Sequence, residues 1–350
     1  MGGYDRRAFL THIIGGLGLS ALTVRGGALP VFAQAPPSTR VPLIDVHHHL
    51  APPAWVTEVA GRPLLNPASA KWTLSQSLED MDRGGVAASV FSITNPGLAF
   101  GDAAATRKLA RSCNDYAARL VQDHPTRFGM YASLPMPDID GSLSEIAYAY
   151  DTLKTDGIAL FTSYADGWLG NPAYRPVMEE LNRRRAVVHV HPTAPECCRN
   201  LSYAPGLLPS VIEYGTDTSR AIAGVVVSGD AARFPEIRFI WSHAGGSMPF
   251  LAGRLENGVR NMKDRLPDGV LPSLKRFFYD VAGAFNRGAM TSLLELVPPS
   301  QVLFGTDFPA AGAPSGNVAA AISSLGLLRP ADLDAVYRGN ALKLFPRLKA

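Results

Sequence analysis

Eight short apolar runs alternate with longer amphipathic segments along the chain after residue 42. Short runs rich in β-branched and aromatic residues are typical of buried strands, whereas longer segments with a period near 3.6 are typical of helices. The predicted strands are Leu43–His47, Ala87–Ile93, Phe128–Leu134, Gly157–Phe161, Ala186–His191, Arg238–Ser242, Phe277–Val281 and Val302–Gly305. The predicted helices cover residues 75–84, 103–123, 142–155, 174–185, 217–233, 248–262, 289–297 and 331–344.

This alternation predicts an α/β fold, a (β/α)8 TIM barrel that forms a single domain over residues 42–350. The alternative is an open doubly wound sheet, which requires a glycine-rich phosphate turn after the first strand. The segment from His47 to Pro53 contains no glycine. The pattern therefore favours the barrel.

Four of the predicted strands end at histidine or aspartate side chains. His47 and His49 end the first strand and point the same way if the strand continues through them. His191, His243 and Asp307 end the fifth, sixth and eighth strands. The carboxyl ends of barrel strands meet at one face, where the chemistry of this fold is found, and imidazoles with a carboxylate suit zinc or manganese. The alternative for any one of them is a polar residue that merely ends a strand.

Composition allows a large core but indicates no charged partner. The chain is 47% hydrophobic, and its formal charge is +3. Removing residues 1–33 removes three basic residues and one acidic residue, which leaves 30 against 29, or +1. Because no basic stripe remains, we expect no nucleic-acid binding and no stable membrane association of the mature protein.

The N-terminus is typical of an export signal. Arg6 and Arg7 form a twin-arginine pattern, and an apolar, glycine-rich stretch follows to about Val24. We expect cleavage after Ala33, a linker over residues 34–41, and a periplasmic protein exported already folded. An N-terminal helix or membrane anchor is the alternative reading.

The three cysteines, Cys113, Cys197 and Cys198, form no disulfide framework. A protein that folds before export meets a reducing compartment, so free thiols are expected. The sequence assigns no role to the neighbouring pair.

Taken together, these motifs resemble the amidohydrolase superfamily. The similarity covers residues 43–348 and lies in the branch that contains aminocarboxymuconate-semialdehyde decarboxylase and the salicylate- and resorcylate-type decarboxylases, with the methylsalicylate decarboxylases nearest. Its motifs are His-x-His after strand one, His191-Pro192, Ser-His-Ala-Gly-Gly from Ser242, and Gly-Thr-Asp-x-Pro from Gly305.

The resemblance implies one divalent metal ion per chain, Zn²⁺ or alternatively Mn²⁺, held by His47, His49, His191 and Asp307. It also implies that His243 lies beside the metal and handles protons, with Asp307 as the second catalytic group. Related binuclear enzymes place a lysine or glutamate at the end of strand four, and Gly157–Phe161 has neither. A mononuclear site is therefore expected.

Two departures bear on the substrate. The aminocarboxymuconate enzyme holds a substrate carboxylate with an arginine before the helix that starts near residue 75; here residues 72–76 contain none, and Arg62 is the nearest upstream. Resorcylate-type members carry Glu-x-His after strand one, whereas this chain has His-x-His. The chain therefore resembles the methylsalicylate and aminocarboxymuconate side of the branch.

The remaining polar and aromatic candidates have weaker signals. His189 is expected to be a buried core histidine, and His48 a structural neighbour of the ligands. Candidate substrate contacts are Trp72, Glu213, Arg220, Asp280 and Phe308. For Arg220 the alternative is a surface ion pair, with Asp217 or Thr216 capping the following helix. For Asp280 the alternative is a partner of a ligand or a structural hydrogen bond.

The sequence thus predicts a metal-dependent, non-oxidative decarboxylase that acts on a small aromatic carboxylic acid, such as a salicylate, and needs no redox cofactor. The runner-up is a metal-dependent hydrolase of a cyclic ester or amide, because the same ligands would activate water. A secreted, non-catalytic ligand-binding barrel is a remote third possibility. A homo-oligomer, either dimer or tetramer, is also expected.

Overall fold

The computed structural model describes residues 41–62, 68–165, 167–193, 207–208, 210–310 and 314–349. The predicted signal peptide and almost all of the linker, together with Cys197 and Cys198, lie outside the described residues.

Eight parallel strands, neighbours in chain order, form the central sheet. They are β1 Leu43–His49, β2 Val86–Ser92, β3 Phe128–Ser133, β4 Gly157–Phe161, β5 Val187–His191, β6 Arg238–Trp241, β7 Phe278–Asp280 and β8 Val302–Leu303. The segment after β8 joins β1, since Val46 N–H donates to the Phe304 carbonyl at 3.0 Å and Asp307 N–H to the His47 carbonyl at 2.8 Å. These bonds close the sheet into the predicted barrel.

Helices follow the strands, as the periodicity predicts. They are α1 Pro53–Val59, α2 Leu74–Gly84, α3 Ala103–Asp123, α4 Ile139–Tyr148, α5 Arg175–Arg183, α6 Ser210–Val227, α7 Asp230–Arg233, α8 Met248–Gly258, α9 Leu271–Arg276, α10 Arg287–Leu296, α11 Ser315–Ser324, α12 Pro330–Asp334 and α13 Asn340–Leu344. A two-stranded ribbon, Ser163–Tyr164 with Gly167–Trp168, follows β4. Among the described residues, no helix combines the length and apolar character needed to cross a membrane.

Local chemistry explains the boundaries of α2. Thr73 caps its first turn by accepting from the Gln76 N–H, and the Gln76 side chain accepts from the Thr73 N–H in return. Gly85 ends the helix in the left-handed conformation, with φ of 72°. The helix buries Met81 against the barrel. Its bounds differ from the predicted ones by a single residue.

The prediction of one helix over residues 217–233 was wrong. Helix α6 already includes Ser210 and ends at Val227, and Gly229, with φ of 82°, separates it from α7. Asp217 does not cap a helix start, because its carboxylate accepts from the Thr162 hydroxyl and the Trp168 indole instead. A side chain that favours caps therefore serves a tertiary contact inside the helix.

Candidate metal centre

Four side chains converge at the carboxyl ends of β1 and β5 and in the segment after β8. One potential ligand atom from each of His47, His49, His191 and Asp307 lies within 4.8 Å of every other. The Nε2 atoms of His47 and His49 are 3.2 Å apart, which confirms that the two alternate side chains point the same way. The Oδ1 atom of Asp307 lies 2.9 Å from Nε2 of His49 and 3.4 Å from Nε2 of His47.

Each of the three imidazoles is oriented by a hydrogen bond at its other nitrogen. Nδ1 of His47 lies 3.0 Å from Oδ2 of Asp280, and Nδ1 of His49 lies 3.1 Å from the Ser92 hydroxyl. Nδ1 of His191 lies 2.8 Å from the Pro192 carbonyl. Hydrogen bonds at Nδ1 leave Nε2 as the nitrogen that can bind a metal, an arrangement typical of metal-bound histidines.

The four side chains fit a divalent cation. The buried Nε2 atom of His191 has no hydrogen-bond partner among the described residues, although an unpaired buried nitrogen is costly. Burial and the neighbouring imidazoles hold the pKa of His191 well below its usual range, so the ring is neutral and its lone pair is free to bind a cation.

The carboxylates favour positive charge at the same point. Burial alone would lower the pKa of His47, but Asp280 and Asp307 raise it to about 10. The pKa of Asp307 is held well below its usual range, because its hydrogen bonds with the surrounding histidines outweigh the effect of burial. Two ionised carboxylates beside three imidazoles therefore stabilise a cation here.

His243 lies at the edge of this cluster. Its Nε2 atom is 3.4 Å from Oδ2 of Asp307, and its ring centroid is 5.0 Å from that of His47. About 17% of its side chain is exposed, whereas His47 and His49 are buried. His243 is therefore the histidine of this group that combines contact with Asp307 and access to solvent.

The other two histidines on the barrel strands hydrogen-bond to neighbouring side chains and do not belong to the four-residue cluster. His48 points away from its neighbours, and its ring lies 3.1 Å from Asp45 and 2.8 Å from the Ser77 hydroxyl. His189 is fully buried, and its Nε2 atom lies 3.1 Å from Oδ2 of Asp280. The structure thus places both where the sequence predicts.

Three of the candidate substrate contacts are already engaged with the protein. Trp72 is buried and donates its indole N–H to the Ser77 hydroxyl at 2.7 Å. Phe308 stacks on His48 with 4.8 Å between ring centroids. Asp280 is fully buried and contacts His47 and His189. These contacts match the alternative reading of Asp280 as the partner of a ligand.

The other two candidates lie on α6. Arg220 is exposed, and its guanidinium lies 5.3 Å from the centroid of the Trp168 ring. Glu213 is half-buried one residue before Tyr214. Tyr214, which sequence reasoning missed, has its ring 5.8 Å from His191 and 6.2 Å from His243. No motif marks this tyrosine, and only the helix position reveals it.

A cavity of about 290 Å³ lies on the same face of the barrel as the cluster, although none of the four cluster residues is among the described residues that line it. It lies at the carboxyl ends of β2, β3 and β4 and is lined in part by Leu98, Leu134, Met136, Phe161 and Thr193. The Phe161 ring also lies 6.3 Å from the ring of His191. The lining combines apolar side chains with several side-chain hydroxyl groups, which suits a small ring that carries polar substituents.

A closed (β/α)8 barrel with imidazoles and a carboxylate at its strand ends is typical of metal-dependent barrel enzymes. The family model described as Amidohydrolase matches residues 44–347. The chain belongs to this amidohydrolase family, as the sequence motifs predict.

Two fungal relatives cover nearly the same span. Decarboxylase macB of Penicillium terrestre is 36% identical over 87% of this chain and 95% of its own length. The 6-methylsalicylic acid decarboxylase of Penicillium expansum is 35% identical over 87% of this chain and 97% of its own. The predicted branch of the family is therefore confirmed.

A solved structure supports the fold. The dihydroxybenzoic acid decarboxylase of Polaromonas sp. JS666, with bound manganese and the inhibitor 2-nitroresorcinol, superposes with a TM-score of 0.76 at 21% identity. The match covers 88% of this chain and 98% of that one.

Proposed function

We propose that this protein is a metal-dependent, non-oxidative decarboxylase of a small hydroxylated aromatic carboxylic acid. The observation that carries the proposal is the pair formed by His243 and Asp307 at the edge of a three-imidazole cluster, in a chain similar to named decarboxylases. The cavity on the same face of the barrel, whose Phe161 ring lies 6.3 Å from the ring of His191, supports an aromatic substrate.

The cation and the protein have separate tasks. A divalent cation held by His47, His49, His191 and Asp307 would supply positive charge that favours a carboxylate and an adjacent hydroxyl oxygen. The strand-end histidines keep this charge at a fixed place, because each is anchored through Nδ1. The cavity side chains orient the ring and exclude water.

Proton delivery falls to His243 in this proposal. Asp307 is a poor acid, since its pKa lies well below the usual range. His243 donates a proton from Nε2 to the ring carbon that bears the carboxylate. The bond to the carboxylate then breaks, its electron pair restores the aromatic ring, and carbon dioxide leaves. Asp307 stabilises the protonated imidazole across the 3.4 Å contact.

The test is a substrate screen with two products measured. Manganese- or zinc-loaded protein is incubated with hydroxybenzoates, including 6-methylsalicylate and 2,6-dihydroxybenzoate, and both carbon dioxide and the phenol are quantified. In D₂O the phenol should carry one deuterium at the carbon that lost the carboxylate. Hydrolysis of lactones or cyclic amides without release of carbon dioxide from any acid would favour the hydrolase instead.

We further propose that the protein holds one metal ion per chain, zinc or manganese. The support is that β4 contributes neither a lysine nor a carboxylate that could bridge a second ion. Elemental analysis of purified protein should give close to one equivalent. Two equivalents per chain would contradict the mononuclear site.

Export and assembly are separate proposals from the sequence. Arg6 and Arg7 support a twin-arginine route to the periplasm, with a mature chain that begins at Gln34. Replacing both arginines by lysine should abolish export, and unchanged export would exclude this route.

The proposed dimer or tetramer is tested by light scattering of the mature protein.

A further inference from the structure

One buried carboxylate outside the four-residue cluster contacts both the ligand side and the proton-donor side of the site. Asp280, at the end of β7, is fully buried. Its Oδ2 atom lies 3.0 Å from Nδ1 of His47 and 3.1 Å from Nε2 of His189. Its Oδ1 atom accepts from the backbone N–H groups of His243 at 3.1 Å and Ala282 at 3.0 Å. Four donors saturate the carboxylate.

The contact with His47 fixes the chemical form of that ring. A carboxylate only accepts, so Nδ1 of His47 carries the proton and Nε2 faces His49 and Asp307. A ring free to rotate or to change tautomer would present Nε2–H to the cation for part of the time. Asp280 therefore holds the proton at Nδ1 and fixes the orientation of the ring, so that Nε2 is the atom that faces the cation site.

The contact with His243 fixes a backbone. His243 and Ala244 have φ of 54° and 57°, in the left-handed region that side chains with a Cβ disfavour. The hydrogen bond from the His243 N–H to Oδ1 compensates for this conformation. It holds the backbone where the imidazole reaches Asp307.

We propose that Asp280 is a positioning residue that aligns the cation site with the proton donor. Its Oδ2 atom orients His47, and its Oδ1 atom holds the backbone of His243. The first part of the proposal, the orientation of His47, concerns cation binding alone. The second part, the placement of His243, rests on the decarboxylase function proposed above.

The test substitutes Asp280→Asn, which keeps the shape but leaves one acceptor oxygen in place of two. Affinity for Zn²⁺ is measured without substrate, by competition with a chromophoric chelator, and should fall about 10- to 100-fold. At saturating metal, kcat should fall at least about 10-fold while KM stays within about 3-fold, because the reacting geometry changes more than substrate binding does.

His189→Phe is the matched control. It removes the second side-chain partner of Asp280, after His47, and keeps an aromatic ring against Tyr131, on which His189 stacks at 5.1 Å. Zn²⁺ affinity and kcat should both stay within about 3-fold of the wild type, since the contacts to His47 and His243 persist. Equal losses in this variant and in Asp280→Asn would mean general damage to the core and would overturn the proposal.

The thermal transition of Asp280→Asn without metal shows whether the variant folds. If it folds and its Zn²⁺ affinity and kcat are both unchanged, the proposal is overturned. If that variant does not fold, Gly305→Ala replaces it. A Cβ at Gly305 would lie 3.1 Å from the Asp280 Cβ and 2.9 Å from the His47 Cβ, so it displaces the pair without changing either side chain. Folded Gly305→Ala with unchanged Zn²⁺ affinity contradicts the proposal, and weakened affinity supports the dependence of the site on the register of His47 against Asp280. Wild-type protein that releases no carbon dioxide overturns the decarboxylase proposal, whereas the Zn²⁺ titration still decides the role of Asp280 toward His47.

Discussion

The Nε2 atom of His243 and the Oδ2 atom of Asp307 lie 3.4 Å apart, and both residues adopt left-handed backbone conformations, with φ of 54° and 59°. Such conformations cost non-glycine residues about 1–3 kcal/mol each and are found where the surrounding structure enforces them. The backbone N–H of each residue is held, by Asp280 and by the His47 carbonyl respectively. The backbone of both residues is therefore held by hydrogen bonds within the barrel, which brings the two side chains into contact.

This pair leads to a first prediction, on His243→Gln. The variant should retain about one metal per chain, because the four ligand residues are unchanged, and should lose about 100-fold or more in turnover, since the proton donor is gone. Metal content and carbon dioxide release are measured on the same preparation. A metal-free variant would make His243 a fifth ligand, and full activity would require another acid.

A second prediction separates the adjacent histidines of β1. His49→Ala should lose both metal and activity, because a site with one ligand missing binds more weakly. His48→Asn is the matched control, since its ring faces Asp45 and Ser77 and not the cluster. It should retain the metal, with a modest loss of thermal stability. If His49→Ala retains the metal and His48→Asn loses it, then His48, and not His49, points into the metal site.

A third prediction concerns Tyr214, whose ring lies near both His191 and His243. Tyr214→Phe keeps the ring and removes the hydroxyl, so KM should rise about 10-fold, the equivalent of one hydrogen bond, with kcat within about 3-fold. Burial raises the pKa of this phenol, so the hydroxyl remains a neutral donor, and the ratio of KM values should be constant from pH 6 to about 9. Tyr116→Phe on α3 is the control; an unchanged KM in Tyr214→Phe would exclude substrate contact.

A fourth prediction follows from the thiol of Cys113. Burial raises its pKa to about 12, although a backbone hydrogen bond with Trp55 opposes the shift. At pH 8 only about 10⁻⁴ of this thiol is ionised, and the thiolate is the form that reacts. Iodoacetamide at pH 8 should therefore leave Cys113 unmodified in the native protein and modify it fully in guanidinium, as read by peptide mass spectrometry. Rapid labelling of the native protein would contradict its burial.

Local patterns predicted the barrel and the four converging ligands because these features depend on short-range rules. Alternation along a strand placed His47 and His49 on one side, and the rule that active sites lie at strand ends brought in His191 and Asp307. Which partner orients which ligand was not predictable in the same way, although the sequence offered Asp280 as a possible partner of a ligand. Asp280 lies 233 positions from His47 in the chain, and the Pro192 carbonyl that orients His191 is a backbone atom with no sequence signal. The role of Tyr214 depends on where α6 begins, which propensity placed too late.

The seam between β8 and β1 has a consequence for the order of events during synthesis. His47 and Asp307 meet there through a backbone hydrogen bond, although one belongs to the first strand of the barrel and the other follows the last. In chain order the three imidazoles of the cluster come first, and its carboxylate, Asp307, is synthesised more than 100 residues after His191. The complete four-residue cluster therefore exists only in the closed barrel, because the carboxylate joins the three imidazoles at the seam.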